Sequence, residues 1–465
     1  MSRLFRVFDR SKPSAHRQPK RPGRMARLET LEPRMMLSWT VLNYIDGDNN
    51  LESYGVLNVN QMEKVGSTSN VKFVAQFDRS PGYDSTNGNW TDTRRALIVK
   101  DTNTKTMTSF QGSGQSIGEA DMGDPNTLAS FIQWGVATYP ADHYLLDIWD
   151  HGGGLDGACW DDSNGSDYLT VKEIESGIAA GTTAMPPGKH FDIVGFDACM
   201  MGMEEVRHQL VGLADVVVAS EQTIPGNGWP YDKIASDLVA NPAMTASQLG
   251  TKIVQRYGQV YGAMDTLSAT NMATESKLTT DLNNFAVAAE RSAEWTTITN
   301  ARNASAYYTD TTFRDLGTFL SYVGSHAADP GLRSAAQTAS TDYQASIIKN
   351  YSGRREHATG LSIYLPGQGP AIRSDYTAAN FDFAADTQWD EFLVRYTTNA
   401  PPLPKASTST SQATLGAVDQ VHLGALFASQ DDADVRLGAS FHRLRGTDPV
   451  DAVFINAQGT WVYRV

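Results

Sequence analysis

Cysteine is nearly missing: two of 465 residues, Cys159 and Cys199, forty positions apart. Two thiols cannot staple a disulfide-rich scaffold, and no C-x-x-C pair offers zinc-ligand spacing. Long apolar runs are missing too. None approaches the ~18 to 20 residues that a membrane-spanning helix needs, so no bilayer span is expected. Basic residues are scarce after the first few dozen positions. Residues 1–38 hold ten Lys and Arg against Asp9, Glu29 and Glu32, which is +7; with a total of −14, the rest carries −21. An acidic body argues against a nucleic-acid partner and suits cationic substrates. What is present, 41% hydrophobic and 19% charged residues, is the balance of an ordinary globular chain. Its length accommodates two or three domains of roughly 150 residues.

The basic head lacks the apolar core of a standard signal peptide, yet it ends in LETLEPRMMLS (28–38). That element resembles the Leu-Glu-Pro-Arg-x-x-Leu-Ser stretch near the N-termini of exported planctomycete proteins. Residues 1–38 are therefore expected to be a leader. The resemblance implies a bacterial, planctomycete source and export to the surface, the periplasm or the medium.

From Trp39 onward, short apolar runs recur: WTVLNYID (39–46), VKFVAQFD (71–78), HYLLDIWD (143–150), FDIVGFDA (191–198) and ADVVVASE (214–221). Such runs suit strands buried on both faces of a parallel sheet. Helical patterns alternate with them. Residues 124–139 space Leu128, Phe131, Ile132 and Gly135 helically behind Asp124 and Pro125, an N-cap and a first-turn proline. After Cys199, the spacing of Met203, Val206, Leu210 and Leu213 predicts a helix that starts at the cysteine. The pattern is α/β with a mostly parallel sheet. Residues 270–350 read as helical, 313–323 most clearly, and 357–367 as one more strand. A Pro/Ser/Thr-rich linker (397–414) leads to a small β-rich module (415–465) of unassigned role.

Ligands of such sheets gather at the carboxyl ends of the strands. There LLDIWDHGGG presents His151 and three glycines, FDIVGFDAC presents Cys199, and VVVASEQTIPGNGWPY (216–231) supplies a third loop. A cysteine peptidase needs a thiolate, a histidine that protonates the leaving amine, and donors for the oxyanion. A thiol at a helix N-terminus gains thiolate character from the helix dipole. The N–H groups of Gly152 and Cys199 are the natural oxyanion donors. Asp197 shares a strand face with Cys199, two positions away; a carboxylate beneath the site needs a partner, and an arriving Arg or Lys would supply it.

Taken together, YIDGDNNLE (44–52), WDHGGG (149–154), FDACMMG (196–202), ASEQTIPGNGWPY (219–231) and GLSIYLP (360–366) resemble the clostripain family of cysteine peptidases, in the same order. The resemblance spans about residues 39–396, with a core of 39–270 and a helical extension with a last strand at 271–396. It implies a caspase-like α/β/α sandwich and a His151–Cys199 dyad without an obligatory third member. The 48-residue interval between the two is near the ≈50 of caspases. It also implies that Asp197 lies at the base of a pocket selecting Arg or Lys, with Glu221 and Trp229 in its wall. Self-cleavage between His151 and Cys199 is implied for some members, and Lys172 and Lys189 are the only Lys or Arg residues there. The chemistry needs no cofactor. Calcium is implied as a structural or activating ion, its ligands unassigned; the loops around Asp46 and Asp48 or Asp161 and Asp162 are candidates. Partners are protein or peptide substrates with a basic P1 residue, and the chain is expected as a monomer or a self-processed two-chain form.

Three other readings compete. Cys159, His151 and Cys199 lack a fourth ligand and the spacing for zinc, and Cys159 reads as structural. GQSIG (114–118) fits a serine-esterase elbow, but HGGG should precede it, and no buried strand leads into Ser116. A catalytically silent, peptide-binding or surface-interaction protein of caspase fold is the main rival, weighed against by the intact His151 and Cys199.

Overall fold

The computed structural model describes residues 38–403, apart from 104, 113, 262–264 and 355–356, together with the backbone of 452–455 and 461–464. The leader and most of the C-terminal module lie outside the described residues. The chain divides into two compact units, Met1–Pro402 and Leu403–Val465.

In the first unit every long apolar run becomes a strand: β1 (Trp39–Gly47), β2 (Val71–Arg79), β5 (His143–Trp149), β8 (Phe191–Asp197) and β9 (Ala214–Ala219). They pair in parallel in the spatial order β9-β8-β5-β1-β2. Antiparallel strands extend both edges. β3 (Thr93–Leu97) and β4 (Gln115–Gly118) follow β2, while β10 (Leu267–Asn271) and β12 (Ile347–Tyr351) follow β9, closing a nine-stranded sheet. Short pairs, β6 (Ala158–Asp161) with β7 (Asp167–Leu169) and β11 (Phe313–Asp315) with β13 (Ser362–Tyr364), lie outside it.

Alternation along the strands splits the core into two layers. Val41 and Ile45 of β1 and Ile193 of β8 face α1 (Glu52–Glu63), α2 (Thr108–Gly112), α6 (Tyr231–Ala240) and α7 (Ala246–Tyr261). Leu42, Tyr44, Val194 and Phe196 face the other side. There lie α3 (Pro125–Thr138), α4 (Val171–Thr182), α5 (Glu204–His208), α8 (Glu275–Ser292) and α9 (Trp295–Ala304). Beyond these come α10 (Leu316–His326), α11 (Pro330–Ser346), α12 (Asp382–Asp386) and α13 (Trp389–Thr397). This is the expected α/β/α sandwich.

Helix α3 shows how sequence sets local structure. Asp124 caps it by accepting from Asn126 N–H, Pro125 opens it, and Leu128, Phe131, Ile132 and Val136 are buried. Each such side chain contributes about 1.5–3 kcal/mol of burial. Gly135 is needed because a Cβ there would lie 2.6 Å from Leu42 Cδ2.

Two expectations are corrected. The strand read over 357–367 shrinks to the three residues of β13, which pair with β11 rather than with the main sheet. The helix expected from Cys199 starts only at Glu204 and lasts five residues. The intervening segment bonds sideways: Met200 N–H donates to Gln222 O, Gly202 N–H to Ser220 O, and Gly202 O accepts from Ser362 N–H. Those groups are therefore lost to a helical ladder. In the second unit, β14 (Ala452–Ile455) and β15 (Trp461–Arg464) form an antiparallel pair.

Candidate active site

Strands β5 and β8 are neighbours, with Trp149 opposite Asp197 at the last paired position. His151 and Cys199 each follow two residues later, so equal register carries both beyond the same edge. The contact is close. A Cβ on Gly152 would lie 2.3 Å from Cys199 O and 2.7 Å from Cys199 N; only glycine lets the two backbones approach so nearly. Met200, just after the cysteine, holds φ at 59°, a region that non-glycine residues seldom adopt, pinned there by its bond to Gln222.

The expected thiol activation by a helix dipole does not hold, because α5 is short and begins five positions downstream. Cys199 is half-buried, and its Sγ accepts from Ile224 N–H at 3.3 Å. Burial pushes the thiol above its ordinary range, the Ile224 bond opposes this, and the charges of Asp197, Asp150 and Asp265 push it further up. Burial also lowers His151, against a smaller opposite pull from Asp162. Both shifts favour a neutral thiol beside a neutral imidazole.

His151 has a holder that the motif reading missed. Its Nε2 lies 2.8 Å from Asn50 Oδ1. With Nε2–H donating there, the lone pair of the neutral ring resides on Nδ1. Asn50 follows Asn49, whose Nδ2 donates to Asp150 Oδ1 at 2.7 Å and Trp160 O at 3.0 Å. Both asparagines stand in the quoted YIDGDNNLE stretch, but their partners are about a hundred positions away.

Asp197 lies on the Cys199 side of β8, buried beneath the site. Its Oδ2 accepts from Trp229 N–H at 2.6 Å and Tyr231 Oη–H at 2.8 Å. Tyr231 Oη also lies 2.6 Å from Asp147 Oδ2, whereas Asp197 Oδ1 has no partner among the described residues. Burial, then the neighbouring Asp147, pushes the Asp197 carboxyl well above the usual carboxylate range. Gly228, at φ 63°, admits this approach; a Cβ there would meet Asp197 Oδ2 at 2.5 Å. Trp229 thus serves Asp197 through its backbone, while its ring packs over Gly195 in the interior.

Glu221 goes elsewhere. It is buried, accepts from Tyr308 Oη–H at 2.7 Å and Gly360 N–H at 2.9 Å, and therefore ties β9 to the helical extension. The expectation that it walls a substrate pocket is corrected, since both its oxygens are occupied internally. Ser116 sits on the edge strand β4, hydrogen-bonded to Asp92, not on a strand-to-helix elbow. Cys159 is fully buried.

Beyond the ends of β1 and β2 a second group converges. Asp48, Asp78, Glu119 and Asp161 each place one oxygen within 4.8 Å of the others. Diametrically opposed ligands of a calcium ion, at about 2.4 Å each, would show about this spacing. Asp48 is completely buried, and neither of its oxygens has a partner among the described residues; Asp78 Oδ2 is likewise unpartnered. Burial and mutual repulsion push Asp78 up to about 9 and Glu119 up to about 7. Hard oxygen donors with orphaned buried atoms fit calcium.

Three comparisons bear on this arrangement. The profile of the clostripain family, Peptidase_C11, matches residues 43–396. Clostripain of Hathewaya histolytica is 35% identical over 223 residues, which are 42% of this chain and only 41% of that protein. A secreted C11 cysteine protease from Bacteroides thetaiotaomicron, solved with an irreversible peptide inhibitor, superposes with a TM-score of 0.57 at 19% identity. That match covers 76% of this chain and 99% of the other. An inactive zymogen C11 protease from Parabacteroides distasonis gives 0.53 at 18%, covering 77% and 98%. The two structures share the fold, and the profile extends from β1 through α13: the chain belongs to the clostripain family.

Proposed function

We propose that the chain is a cysteine endopeptidase that cuts on the carboxyl side of Arg or Lys, with Cys199 as nucleophile and His151 as general acid and base. His151 Nδ1 takes the thiol proton as Sγ attacks the scissile carbonyl carbon. The N–H groups of Gly152 and Cys199 receive the oxyanion, since neither donates to a protein acceptor among the described residues. The imidazolium then protonates the leaving amine as the C–N bond breaks. Water, deprotonated by His151, hydrolyses the thioester and regenerates the thiol. The observation that carries this reading is the shared register of β5 and β8, which delivers His151 and Cys199 to one edge.

The basic preference is supported by Asp197, whose free Oδ1 lies in a buried, acidic setting. A guanidinium or ammonium would draw its proton off and form a desolvated pair, worth about 2–5 kcal/mol against a neutral side chain. Calcium would be structural, held by Asp48, Asp78, Glu119 and Asp161, and would neutralise their mutual repulsion.

Of the two self-cleavage candidates, Lys172 sits in the first turn of α4, paired with Glu175 at 2.7 Å and Asp382 at 2.8 Å. Lys189 precedes β8, whereas Cys199 follows it. Seven strand residues, at about 3.3 Å each, separate them by about 23 Å. Cleavage after Lys189 is therefore proposed to occur between molecules, with a rate per chain that rises with protein concentration. Export is proposed from the basic leader and from the secreted Bacteroides relative. The relatives named above lend the planctomycete origin no support. No helix among the described residues is long and apolar enough to cross a membrane.

The test compares wild type with Cys199→Ala on short peptides ending in Arg, Lys or Ala. Arg and Lys peptides are expected to turn over at least about 30-fold faster than Ala peptides, equivalent to about 2 kcal/mol. Cys199→Ala is expected to abolish turnover. Activity that survives in the variant overturns the mechanism, and equal rates on Ala and Arg overturn the role of Asp197. Specific peptide binding without turnover by the wild type supports the silent, peptide-binding reading.

A further inference from the structure

Between Leu146 and Ile148, strand β5 carries an acid, Asp147, buried in the interior of the sheet. A carboxyl there is costly unless it is hydrogen-bonded or neutral. It pairs in register with Gly195, two positions before Asp197, so both carboxyls project from one face. Gly195 leaves them room: a Cβ there would lie 3.5 Å from Asp147 Oδ1 and 2.6 Å from the Trp229 ring. Tyr231 Oη joins the two, 2.6 Å from Asp147 Oδ2 and 2.8 Å from Asp197 Oδ2. A phenol has one hydrogen to give, so both contacts are hydrogen bonds only if one carboxyl brings its own proton. Asp197 Oδ2 already accepts from Trp229 N–H at 2.6 Å, which suits it to receive the phenol hydrogen as well. The extra proton therefore belongs on Asp147 Oδ2.

We propose that Asp147 sets substrate specificity as a positioning residue. Kept as a neutral acid, it donates to Tyr231, which donates to Asp197, so that the buried pair meets one P1 cation with one negative charge. The inference rests on the peptidase reading and on Asp197 as the partner of the P1 side chain. Asp147 touches Tyr231, not the substrate. Among the described residues no Lys or Arg pairs with either carboxyl. The other ionisable groups that act in this region are Cys159, Cys199, Tyr257, Tyr261 and Asp265, none of them a cation. When the P1 cation arrives, Asp197 ionises and its proton passes to solvent. The phenol hydrogen and Trp229 N–H hold that charge on Oδ2 and leave Oδ1, unpartnered among the described residues, for the substrate. Burial already pushes Asp147 up to about 7. A new charge across the phenol raises it further, so Asp147 keeps its proton. A second ionised carboxyl would instead be a buried charge without a partner.

The test measures kcat and KM on the Arg and Ala peptides for three variants of the full chain. Asp147→Leu, of similar size but without a donor, is expected to raise KM for Arg peptides at least about ten-fold. Its kcat, and its rates on Ala peptides, should change far less. Asp147→Asn, whose amide can donate to Tyr231, is expected to restore the Arg preference to within about three-fold of wild type. Tyr231→Phe should behave as Asp147→Leu does, and takes its place if that variant fails to fold. The proton itself is read by infrared difference spectroscopy on the Cys199→Ala chain, which cannot digest itself, with and without Asp147→Asn. At pH 6, below the value of about 7, Asp147 should contribute a carboxylic-acid C=O stretch that the Asn variant lacks. A carboxylate band in its place overturns the proposal. So does an Arg preference that survives in Asp147→Leu and Tyr231→Phe, or a loss in Asp147→Asn as deep as in Asp147→Leu. Equal losses on Arg and Ala peptides mark a packing defect and overturn it too. Failure of the underlying reading shows in the wild type instead, which then cuts no peptide or cuts Arg and Ala peptides equally.

Discussion

Two of the acid clusters among the described residues differ in how their charge is met. Behind the sheet, Glu204 and Glu275 enclose Arg207, whose Nη1 lies 3.0 Å from Glu204 Oε2 and contacts Glu275. His208 joins Glu275 at 2.9 Å and Asp386 at 3.1 Å. Cation and anion arrive on the same chain, and the cluster locks α5 against α8 and α12. At the edge of the sheet, Asp48, Asp78, Glu119 and Asp161 have amides and one another for neighbours, with no ion pair among the described residues. The first group is self-sufficient and structural. The second has no such cation among the described residues, and the turn that carries Asp48 also carries Asn50, which holds His151. A protein that leaves a buried acid cluster uncompensated has made that region's order depend on solution conditions.

Variants that remove charge from each group should have opposite effects. The largest is expected from Arg207→Met, which leaves two glutamates buried without their cation. Breaking a buried pair from one side costs about 3–5 kcal/mol, and a urea titration should show the midpoint fall accordingly. If it does not, the first cluster is not the self-contained unit described. Asp48→Asn should act in the other direction in chelator, raising Tm by relieving repulsion. It should also erase the calcium-dependent rise of the wild type, which amounts to about 2.7 kcal/mol at a hundred-fold excess over Kd. Scanning calorimetry with and without calcium measures both.

The smallest effect concerns pH. Burial lowers the pKa of His208, but its bond to Glu275, followed by the charge of Glu275 and the bond to Asp386, outweighs this and leaves it raised. A raised folded value means that the stabilisation is complete below the unfolded pKa of about 6.5 and is lost as pH rises through the folded value. His208→Gln should therefore flatten the loss of stability above pH 6.5, seen as a smaller shift of the urea midpoint. An unchanged slope would detach His208 from the ion cluster.

The reach of the sequence differs between the parts of the site. His151 and Cys199 were legible because each ends an apolar run, and strand ends in a parallel sheet gather at one edge. Asp197 was legible as a neighbour on the same strand face. Asn50 was not, because its bond to His151 spans 101 positions, and an asparagine after a strand reads first as a turn residue. Half of the carboxylate group was legible, since Asp48 and Asp161 stand in the two loops named as alternatives; Asp78 and Glu119 were not. Glu119 reaches it only because β3 and β4 add antiparallel strands beyond β2, and those short segments carry little hydrophobic signal. Glu221 was misplaced because its strand end faces the helical extension, whose packing no local pattern specifies.

By itself the sequence determined the local facts: which runs are buried on both faces, where Asp124 caps a helix, and which reactive side chains end strands. These follow from side-chain chemistry and from the periods of helix and strand. Strand order, pairing register and the sideways bonding of residues 200–203 were decided by tertiary structure. They depend on partners tens to hundreds of residues away, and sliding a strand by one residue exchanges its faces. That long-range choice carried His151 and Cys199 past one edge of the sheet, held His151 on Asn50, and shortened the helix expected to activate the thiol.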